Sequence, residues 1–543
     1  MAVKYAREID GMYYGTIEES HAKSILSMRN ETCIDGLKHM IFDFPPELIL
    51  RSIEEQKRIR DIIKEEGIDY KQYLGTLRDY QTVGTAFMFI SPRSIIADGV
   101  GLGKTAEIAA LINFLKQNHK ISRFLMAVET SALGQTQAEL IRFTGLNIVT
   151  LPSEAPKMRH AIRDYDWGEI DGIIIKHSAL RSSVLSNWVA RNLNEDDMCK
   201  IFNTFILDES SVIKNNTSKV YDYTSNICDV VERVHLMNAT TFETNIMNIY
   251  YQVDMMDKNI LPRKWRIERE YCTYKSKQYW TKAPDEHGVM KPKLNTKWDR
   301  SGYKNQEKFK KLLKLVYFGR CKADIGMDMP HIYKVYEVEP TNDQSMALSK
   351  GYRYMEVLNS PGNIKELNIK TNRSNVPKID RLCTLIENDF AGMQVMVYCF
   401  HLEAQEAIAK ELIAIGRKPC ILNGSKVDRE RTEIIDGFNT GKYDVIITNI
   451  KKSINLYGGD VCIFYSAEQN PAKLEQIRGR VDRNTDDRLK TFVMLLYRGT
   501  DEYRYFMSVV RQRAKDARDL TIDSKSAVDY FVESMQDEEV KED

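Results

Sequence analysis

Lys104 follows Gly101-Leu102-Gly103 and precedes Thr105, and the run around them, "ADGVGLGKT" (97–105), has the composition of a loop that wraps a phosphate. Glycines let the backbone curl until its N–H groups converge on an anion at a helix N-terminus. A lysine there reaches the β- and γ-phosphates of a nucleotide, and the threonine hydroxyl helps to hold Mg²⁺. The pattern G-x-x-x-x-G-K-[ST] asks for glycine where this chain has Asp98. Further on, the apolar run "TFILDES" ends in Asp208-Glu209. One carboxylate at a strand end can hold Mg²⁺, and the next can orient and deprotonate an attacking water. A third segment, "QIRGRVDR" (476–483), sets Arg480 and Arg483 three apart, on one face if the segment is helical. Guanidinium groups offered across a cleft stabilise charge developing on a γ-phosphate. Each part has a plainer reading: a glycine-rich turn before a core helix, a solvated acidic loop, a basic surface helix. The three together, in order, argue for a nucleotide-phosphate and Mg²⁺ site with Lys104, Asp208, Glu209, Arg480 and Arg483 as its catalytic group.

Such residues need rigid elements behind them. Short β-rich runs alternate with helical periodicity in two blocks. The first contains "RSIIAD", "RFLMAV", "DGIIIK", "TFILDE" and "RVHLMNA"; the second contains "QVMVYCF", "KPCILNG", "DVIITN", "VCIFYS" and "TFVMLLY". Wholly apolar strands separated by helices predict parallel sheets covered on both faces, hence two α/β lobes. After the glycines, Ile108, Ala109, Leu111, Ile112 and Leu115 form one apolar helical face. Residues 1–70 fall outside the pattern and are expected to form a small α+β accessory domain, with a charged helix after Pro45-Pro46. The expected limits are a first lobe over 71–262, a helical insertion or connector with a basic patch over 263–345, a second lobe over 346–510, and a C-terminal helix with a fraying acidic tail over 511–543.

Composition excludes several classes. Of 543 residues, 29% are charged and 43% hydrophobic, and the formal net charge is +1, so any nucleic-acid surface must be local. Nine cysteines without a C-x-x-C pair argue against a zinc module and a disulfide framework. The opening "MAVKYAREID" lacks an apolar signal core and no apolar run is long enough to span a bilayer, so a soluble intracellular protein is expected. The local basic feature is "KPKLNTKWDRSGYKNQEKFKKLLK" (291–314), where Trp298, Tyr303 and Phe309 interleave with lysine and arginine. Such a stretch can neutralise phosphates and stack on bases, or it can be a solvated helix with its aromatics in the core.

The motifs, in order, resemble the superfamily-two helicase-like ATPases of the Swi–Snf type over roughly residues 75–505. "LRDYQTVG" (77–84) is similar to the family's adenine-reading segment, with Gln81 as the reader. "ADGVGLGKT" resembles "ADEMGLGKT", whose first loop position is also aspartate. The resemblance therefore implies an ATP-binding set of Gln81, Asp98, Gly101, Gly103, Lys104 and Thr105, with Thr105 and Asp208 on the metal. "ETSALGQTQAEL" (129–140) resembles the segment that meets the nucleic-acid backbone, "LDESSVIKN" (207–215) the family's "DEAHRIKN", and "FGRCKADIGMDMP" (318–330) its R-R-x-K-x-D-V connector, with Arg320 as the second arginine. "QIRGRVDR" matches Q-x-x-G-R-x-x-R in full, and "RGTDEYRY" (498–505) matches G-T-x-E. Two motifs depart. In "MNATTFETNIMN" (237–248) Asn238, Thr241 and Thr244 replace Thr, Pro and Asn, and in "SINL" (453–456) Ser453 stands where glycine is usual.

The resemblance implies two RecA-like parallel-sheet lobes that close on ATP and reopen after hydrolysis, moving along duplex or branched DNA. Thr130, Ser131 and Thr448 are DNA contacts by motif position, and Trp298 by its place in the basic stretch. Repair, recombination or fork and junction remodelling, by branch migration or annealing, is the first expected role. Displacement of a DNA-bound protein such as a polymerase, or service as the motor of a restriction or defence system, is the alternative. Residues 1–70 could bind DNA or a protein partner. By analogy with compact family members the source is a bacterium or bacteriophage, which would place the protein in the cytoplasm, on or near the nucleoid.

Overall fold

The computed structural model describes residues 77–117, 123–191, 202–213, 216–239, 246–258, 260–284, 290–313, 316–320, 322, 325, 331–342, 344–345, 376–450, 454–482, 488–520 and 527–542, together with four strands near the N-terminus. For those four strands and for residues 277–301 the backbone alone is described. Arg483, Ser453, residues 240–245 of the third motif and the helix expected after Pro45-Pro46 lie outside the described residues.

The N-terminal strands β1 (Lys4–Ile9), β2 (Met12–Thr16), β3 (Met28–Ile34) and β4 (Leu37–Phe42) form an antiparallel sheet in the order β1-β2-β4-β3. The first lobe is built from β5 (Arg93–Ile96), β6 (Phe124–Val128), β7 (Ile148–Thr150), β8 (Gly172–Lys176), β9 (Thr204–Leu207) and β10 (Arg233–Met237). After β10 the chain makes a long antiparallel ribbon, β11 (Cys272–Pro284) against β12 (Met290–Tyr303), and then returns to the first sheet as β13 (Tyr317–Phe318). The order is β13-β5-β10-β9-β6-β8-β7, parallel throughout. The second lobe contains β14 (Ile332–Val338), β15 (Val395–Tyr398), β16 (Pro419–Leu422), β17 (Val445–Thr448), β18 (Val461–Phe464) and β19 (Thr491–Tyr497). Its order is β14-β19-β18-β15-β17-β16, again all parallel.

Every β-rich run singled out above is a strand, for the reason given: neighbouring residues face opposite sides of a sheet that is buried on both. Ile95 packs into one core with Leu125, Ile173 and Phe205, whereas Ile96 packs into the other with Met126, Ile174 and Ile206. The helix Lys104–Gln117 lays Ile108, Leu111, Ile112 and Leu115 on that second side. Each such fully buried side chain contributes roughly 1.5–3 kcal/mol.

Four expectations need correction. The insertion is not chiefly helical, because Cys272–Pro284 and Met290–Tyr303 pair as a two-stranded ribbon, flanked among the described residues by short helices at Lys264–Tyr271 and Gln306–Leu313. The sequence carried the strand signal: Met290, Pro292, Leu294, Thr296 and Trp298 alternate with Lys291, Lys293, Asn295, Lys297 and Asp299, a period of two that marks a strand and not a helix. The basic stretch divides accordingly: Trp298 lies on β12, while Phe309 is fully buried against Tyr271 with ring centroids 5.3 Å apart. The lobe limits also move, since β13 belongs to the first sheet and β14 to the second. Finally, the C-terminal helix is present, and the acidic stretch expected as a tail continues it, in a helix Ala527–Glu542 whose Val528 and Phe531 enter the second core.

Two buried polar devices mark these lobes. In the second, Lys378 is fully buried and donates to both oxygens of Glu502 (2.9 and 2.8 Å) and to the Tyr465 carbonyl (3.1 Å). Glu502 is the glutamate of the G-T-x-E segment. In the first, His235 on β10 is fully buried, with Nδ1 2.8 Å from the Ser94 hydroxyl on β5. Burial pushes its imidazole down to about 3, and the Arg233 charge adds to the effect. An unfolded histidine titrates near 6.5, so below that pH the unfolded chain takes up a proton that the folded chain refuses. Stability is therefore expected to fall with acidification from about pH 6.5 toward 3, by about 1.4 kcal/mol per pH unit from this group. Urea unfolding at pH 7 and pH 5 should show about 2 kcal/mol more acid loss in the wild type than in His235→Gln; equal losses would remove His235 as the cause.

Candidate functional site

The phosphate-type loop joins β5 to the helix Lys104–Gln117 at the C-terminal edge of the first sheet. Gly101 (φ 85°) and Gly103 (φ 86°) occupy the left-handed region that other residues avoid. A Cβ at Gly103 would also stand 2.3 Å from Gln81 Nε2. Gln81 Nε2 donates to the Leu102 carbonyl at 2.8 Å, and its Oε1 accepts the Arg78 N–H at 2.9 Å. Gln81 thus braces the loop and keeps one N–H and one oxygen lone pair for a base. Tyr80 braces the same carbonyl through its hydroxyl at 2.9 Å. Lys104 Nζ lies over the loop, donating to the carbonyls of Asp98 (2.7 Å) and Gly99 (3.4 Å). Thr105 stands in the first turn of the helix, half-buried.

Asp98 does not face the loop's concave side. Its side chain is fully buried, and its carboxylate accepts the Arg320 backbone N–H (3.1 Å) and Arg320 Nε (3.2 Å), with a further ion pair to the guanidinium tip. The same guanidinium reaches Glu107 Oε1 at 2.8 Å and donates to the Tyr80 carbonyl. Two buried carboxylates therefore share one guanidinium. Burial, with the Asp98 charge adding to it and Arg320 opposing, holds the Glu107 carboxyl well above the usual range. The assignment of Asp98 to nucleotide binding is corrected accordingly: it shapes the loop from behind.

Asp208 and Glu209 end β9, two strands from β5 at the same edge of the sheet. Both are half-buried. The Asp208 carboxylate accepts the Glu209 N–H at 2.9 Å, and the Asp208 carbonyl accepts His177 Nε2 at 2.8 Å. Glu209 has φ 49°, an uncommon backbone for a residue with a Cβ, at a cost of roughly 1–3 kcal/mol. Its Oε2 accepts Gln476 Nε2 at 3.2 Å, a hydrogen bond from the second lobe.

The arginine segment meets the first lobe here. Its helix, Pro471–Arg478, stops before Arg480, which sits in the following turn. The Arg480 side chain is buried and its guanidinium donates to the Ile454 carbonyl at 3.2 Å. Gly479, one residue earlier, lies directly against the phosphate-type loop: a Cβ there would stand 2.5 Å from Val100 Cγ1 and 2.9 Å from Val100 Cβ. Nearby, Lys322 ion-pairs with Asp482, which also holds His331 (3.3 Å) and Arg478 (3.4 Å). Burial alone would raise the Asp482 carboxyl; the His331 hydrogen bond and the Arg478 and Lys322 charges outweigh it and hold it well below the carboxylate range.

Of the expected strand contacts, Thr130 and Ser131 are exposed on a short turn after β6. Thr448 is corrected: it is fully buried at the end of β17 and its hydroxyl accepts the Ile450 N–H at 3.0 Å. Reasoning from residue types missed Tyr80, Glu107, His177, Gln476, Gly479 and Lys322. The signals were present for three: Gln476 and Gly479 are the glutamine and glycine of the Q-x-x-G-R-x-x-R match, and Lys322 is the lysine of R-R-x-K-x-D.

Two family models match the chain. The SNF2-related domain matches residues 80–346 and the helicase conserved C-terminal domain residues 377–485, more than two thirds of the chain together. The chain is 22% identical over 549 residues to the putative ATP-dependent helicase/translocase YwqA of Bacillus subtilis (strain 168), covering 96% of this chain and 55% of that protein. It is 25% identical over 236 residues to the DNA excision repair protein ERCC-6-like of Bos taurus, covering 39% of this chain and 18% of that protein. The chain thus spans about half the length of the first relative and less of the second. Among solved structures, the Sulfolobus solfataricus SWI2/SNF2 ATPase core in complex with dsDNA covers 87% of this chain and 97% of its own, at 18% identity and a TM-score of 0.39.

The Gly479–Val100 approach makes a direct prediction. Val100 is β-branched and its Cβ is fixed to the loop, so it cannot swing aside for a new side chain. Gly479→Ala should lower nucleoside-triphosphate hydrolysis at least about tenfold, a barrier change of about 1.4 kcal/mol, and Val100→Gly on that background should recover most of it. Full turnover in the single variant would mean that the two segments need not touch.

Proposed function

The chain belongs to the SNF2-related family of helicase-like proteins, and on that premise we propose that it hydrolyses ATP between its lobes and uses the cycle to move along duplex or branched DNA. The observation that carries this reading is the meeting at one edge of the first sheet of Lys104, the Asp208–Glu209 pair and the second-lobe residues Gln476 and Gly479. Helix N-termini and strand C-termini at such an edge suit a phosphorylated ligand.

The donor set fits ATP and Mg²⁺. Two left-handed glycines present backbone N–H groups, Lys104 supplies a cation, and Thr105 with Asp208 supplies hard oxygen ligands. Bound Mg²⁺ would neutralise charge between the β- and γ-phosphates. Lys104 must exchange the carbonyls of Asp98 and Gly99 for phosphate oxygens, a charge-assisted replacement for two neutral hydrogen bonds. Glu209 is the base that orients the attacking water, and Gln476 holds its carboxylate from the other lobe. Arg480 and Arg483 are assigned to the charge developing on the γ-phosphate; for Arg480 that role requires its guanidinium to leave the Ile454 carbonyl as the lobes adjust.

Thr130 and Ser131, exposed beyond β6, are the proposed contacts to the nucleic-acid backbone. The repair, recombination and junction-remodelling roles and the protein-displacing alternative share this chemistry and differ in cargo.

Lys104→Ala is expected to abolish ATP hydrolysis in the purified protein; unchanged turnover would remove the nucleotide-site reading. Wild-type hydrolysis, assayed with duplex, forked or single-stranded DNA, RNA or no polymer, should be stimulated most by duplex or forked DNA. The stimulation should fall steeply with salt. Stimulation by none of them would argue for a motor driven by a protein partner.

A further inference from the structure

The segment that leads from the first lobe to the second runs alongside the phosphate loop and binds both halves of the site. β13 pairs with β5, and the pairing continues beyond the strands. Ala97 N–H donates to the Phe318 carbonyl at 2.6 Å, and Gly99 N–H to the Arg320 carbonyl at 2.8 Å. The Arg320 N–H returns a bond to Asp98 Oδ1 at 3.1 Å. The ladder thus reaches two residues into the phosphate loop. Its side chains hold it there. Phe318 stacks on Phe87 at 5.2 Å, and the Arg320 guanidinium lies over the rings of Phe318 (4.6 Å) and Tyr80 (5.1 Å) while it joins Asp98 to Glu107. Gly84 makes room for this cluster, since a Cβ there would stand 2.8 Å from both Glu107 oxygens and 2.9 Å from the guanidinium.

Two residues after Arg320, Lys322 turns to the other lobe and ion-pairs with Asp482. Asp482 lies three residues after Gly479 and two after Arg480, and Arg478 and His331 hold it from its own lobe. Lys322 is 11% exposed and Asp482 6%, so little water competes for the pair. One short stretch of chain therefore ends in two buried cations, one fixed to the phosphate loop and the other to the arginine turn.

We infer that residues 318–322 are a coupling strap, with Arg320 and Lys322 as positioning residues that keep the phosphate loop and the arginine turn in register. This rests on the reading of the cleft as an ATP-hydrolysing site. A displacement of the loop by the γ-phosphate is carried along the ladder to Arg320, and through two further residues to Lys322, Asp482 and the turn bearing Gly479 and Arg480. Both side chains are engaged by protein partners, Arg320 by Asp98 and Glu107 and Lys322 by Asp482. Their effect is on how the two lobes face each other during hydrolysis, so it belongs to kcat and not to nucleotide affinity.

Lys322 is the informative position, because replacing Arg320 would strand two buried carboxylates and unfold the lobe. Lys322→Met keeps the apolar stem and removes the charge. In the full chain with saturating duplex DNA, kcat for ATP should fall about tenfold or more while KM for ATP stays within about twofold. Lys322→Arg should restore kcat to within about threefold of wild type, and Lys322→Met, which leaves Asp482 with Arg478 and His331, should keep a thermal midpoint close to wild type. A wild-type kcat in Lys322→Met overturns the strap. A loss that appears in KM, or that Lys322→Arg does not repair, also overturns it. Failure of the underlying reading is separately visible, because the wild type would then hydrolyse no ATP.

Discussion

A single guanidinium, that of Arg320, stands between the buried carboxylates of Asp98 and Glu107, and much of the nucleotide cleft depends on it. Removing the one cation from such a cluster costs about 3–5 kcal/mol, because what remains is uncompensated buried charge. With it in place, the loop between β5 and its helix has a fixed rear wall, Gln81 and Tyr80 can hold the Leu102 carbonyl, and Gly101 and Gly103 take the left-handed turns that leave the loop's other side open. Burial, with the Asp98 charge adding to it, raises the proton affinity of Glu107, and Arg320 opposes both.

That cluster is also a topological device. Arg320 comes from the strand that returns to the first sheet after the β11–β12 ribbon, so the phosphate loop is completed by chain more than 200 residues away. The returning strand adds to the edge of the sheet next to the loop and leads directly into the second lobe. A parallel sheet requires long crossovers, and here the longest of them carries the connection between lobes past the site it serves. The second lobe answers with Gln476 on Glu209 and Gly479 on Val100, contacts that need the two sheets to present their edges to each other.

The buried polar groups divide by role. Lys378 with Glu502, and His235 with Ser94, lie inside single lobes and fix strands and helices to one another. Lys322 with Asp482 and Gln476 with Glu209 bridge lobes. A pair within one lobe behaves as a unit of folding stability, whereas a bridging pair has its energy divided among the conformations of the cycle. This is why the acid sensitivity of the fold is traced to His235 and the coupling of the lobes to Lys322.

The β-rich runs, the two parallel lobes, the glycine-lysine-threonine loop and the Asp208–Glu209 pair were legible from residue types alone, because strand burial and phosphate chemistry impose local patterns. Gln81, Arg320 and the arginine segment were legible as motif members, without their partners. What only the tertiary structure decided follows from contacts between distant segments. Asp98 faces Arg320 instead of the ligand, and Glu107 joins them. Thr448 is buried and Phe309 is core, whereas the ribbon was already signalled by the period-two alternation over 290–299. Gly479 was legible as the glycine of Q-x-x-G-R-x-x-R, but its physical reason is Val100, almost 400 positions earlier in the chain, and a close approach between lobes leaves no periodic trace in a sequence.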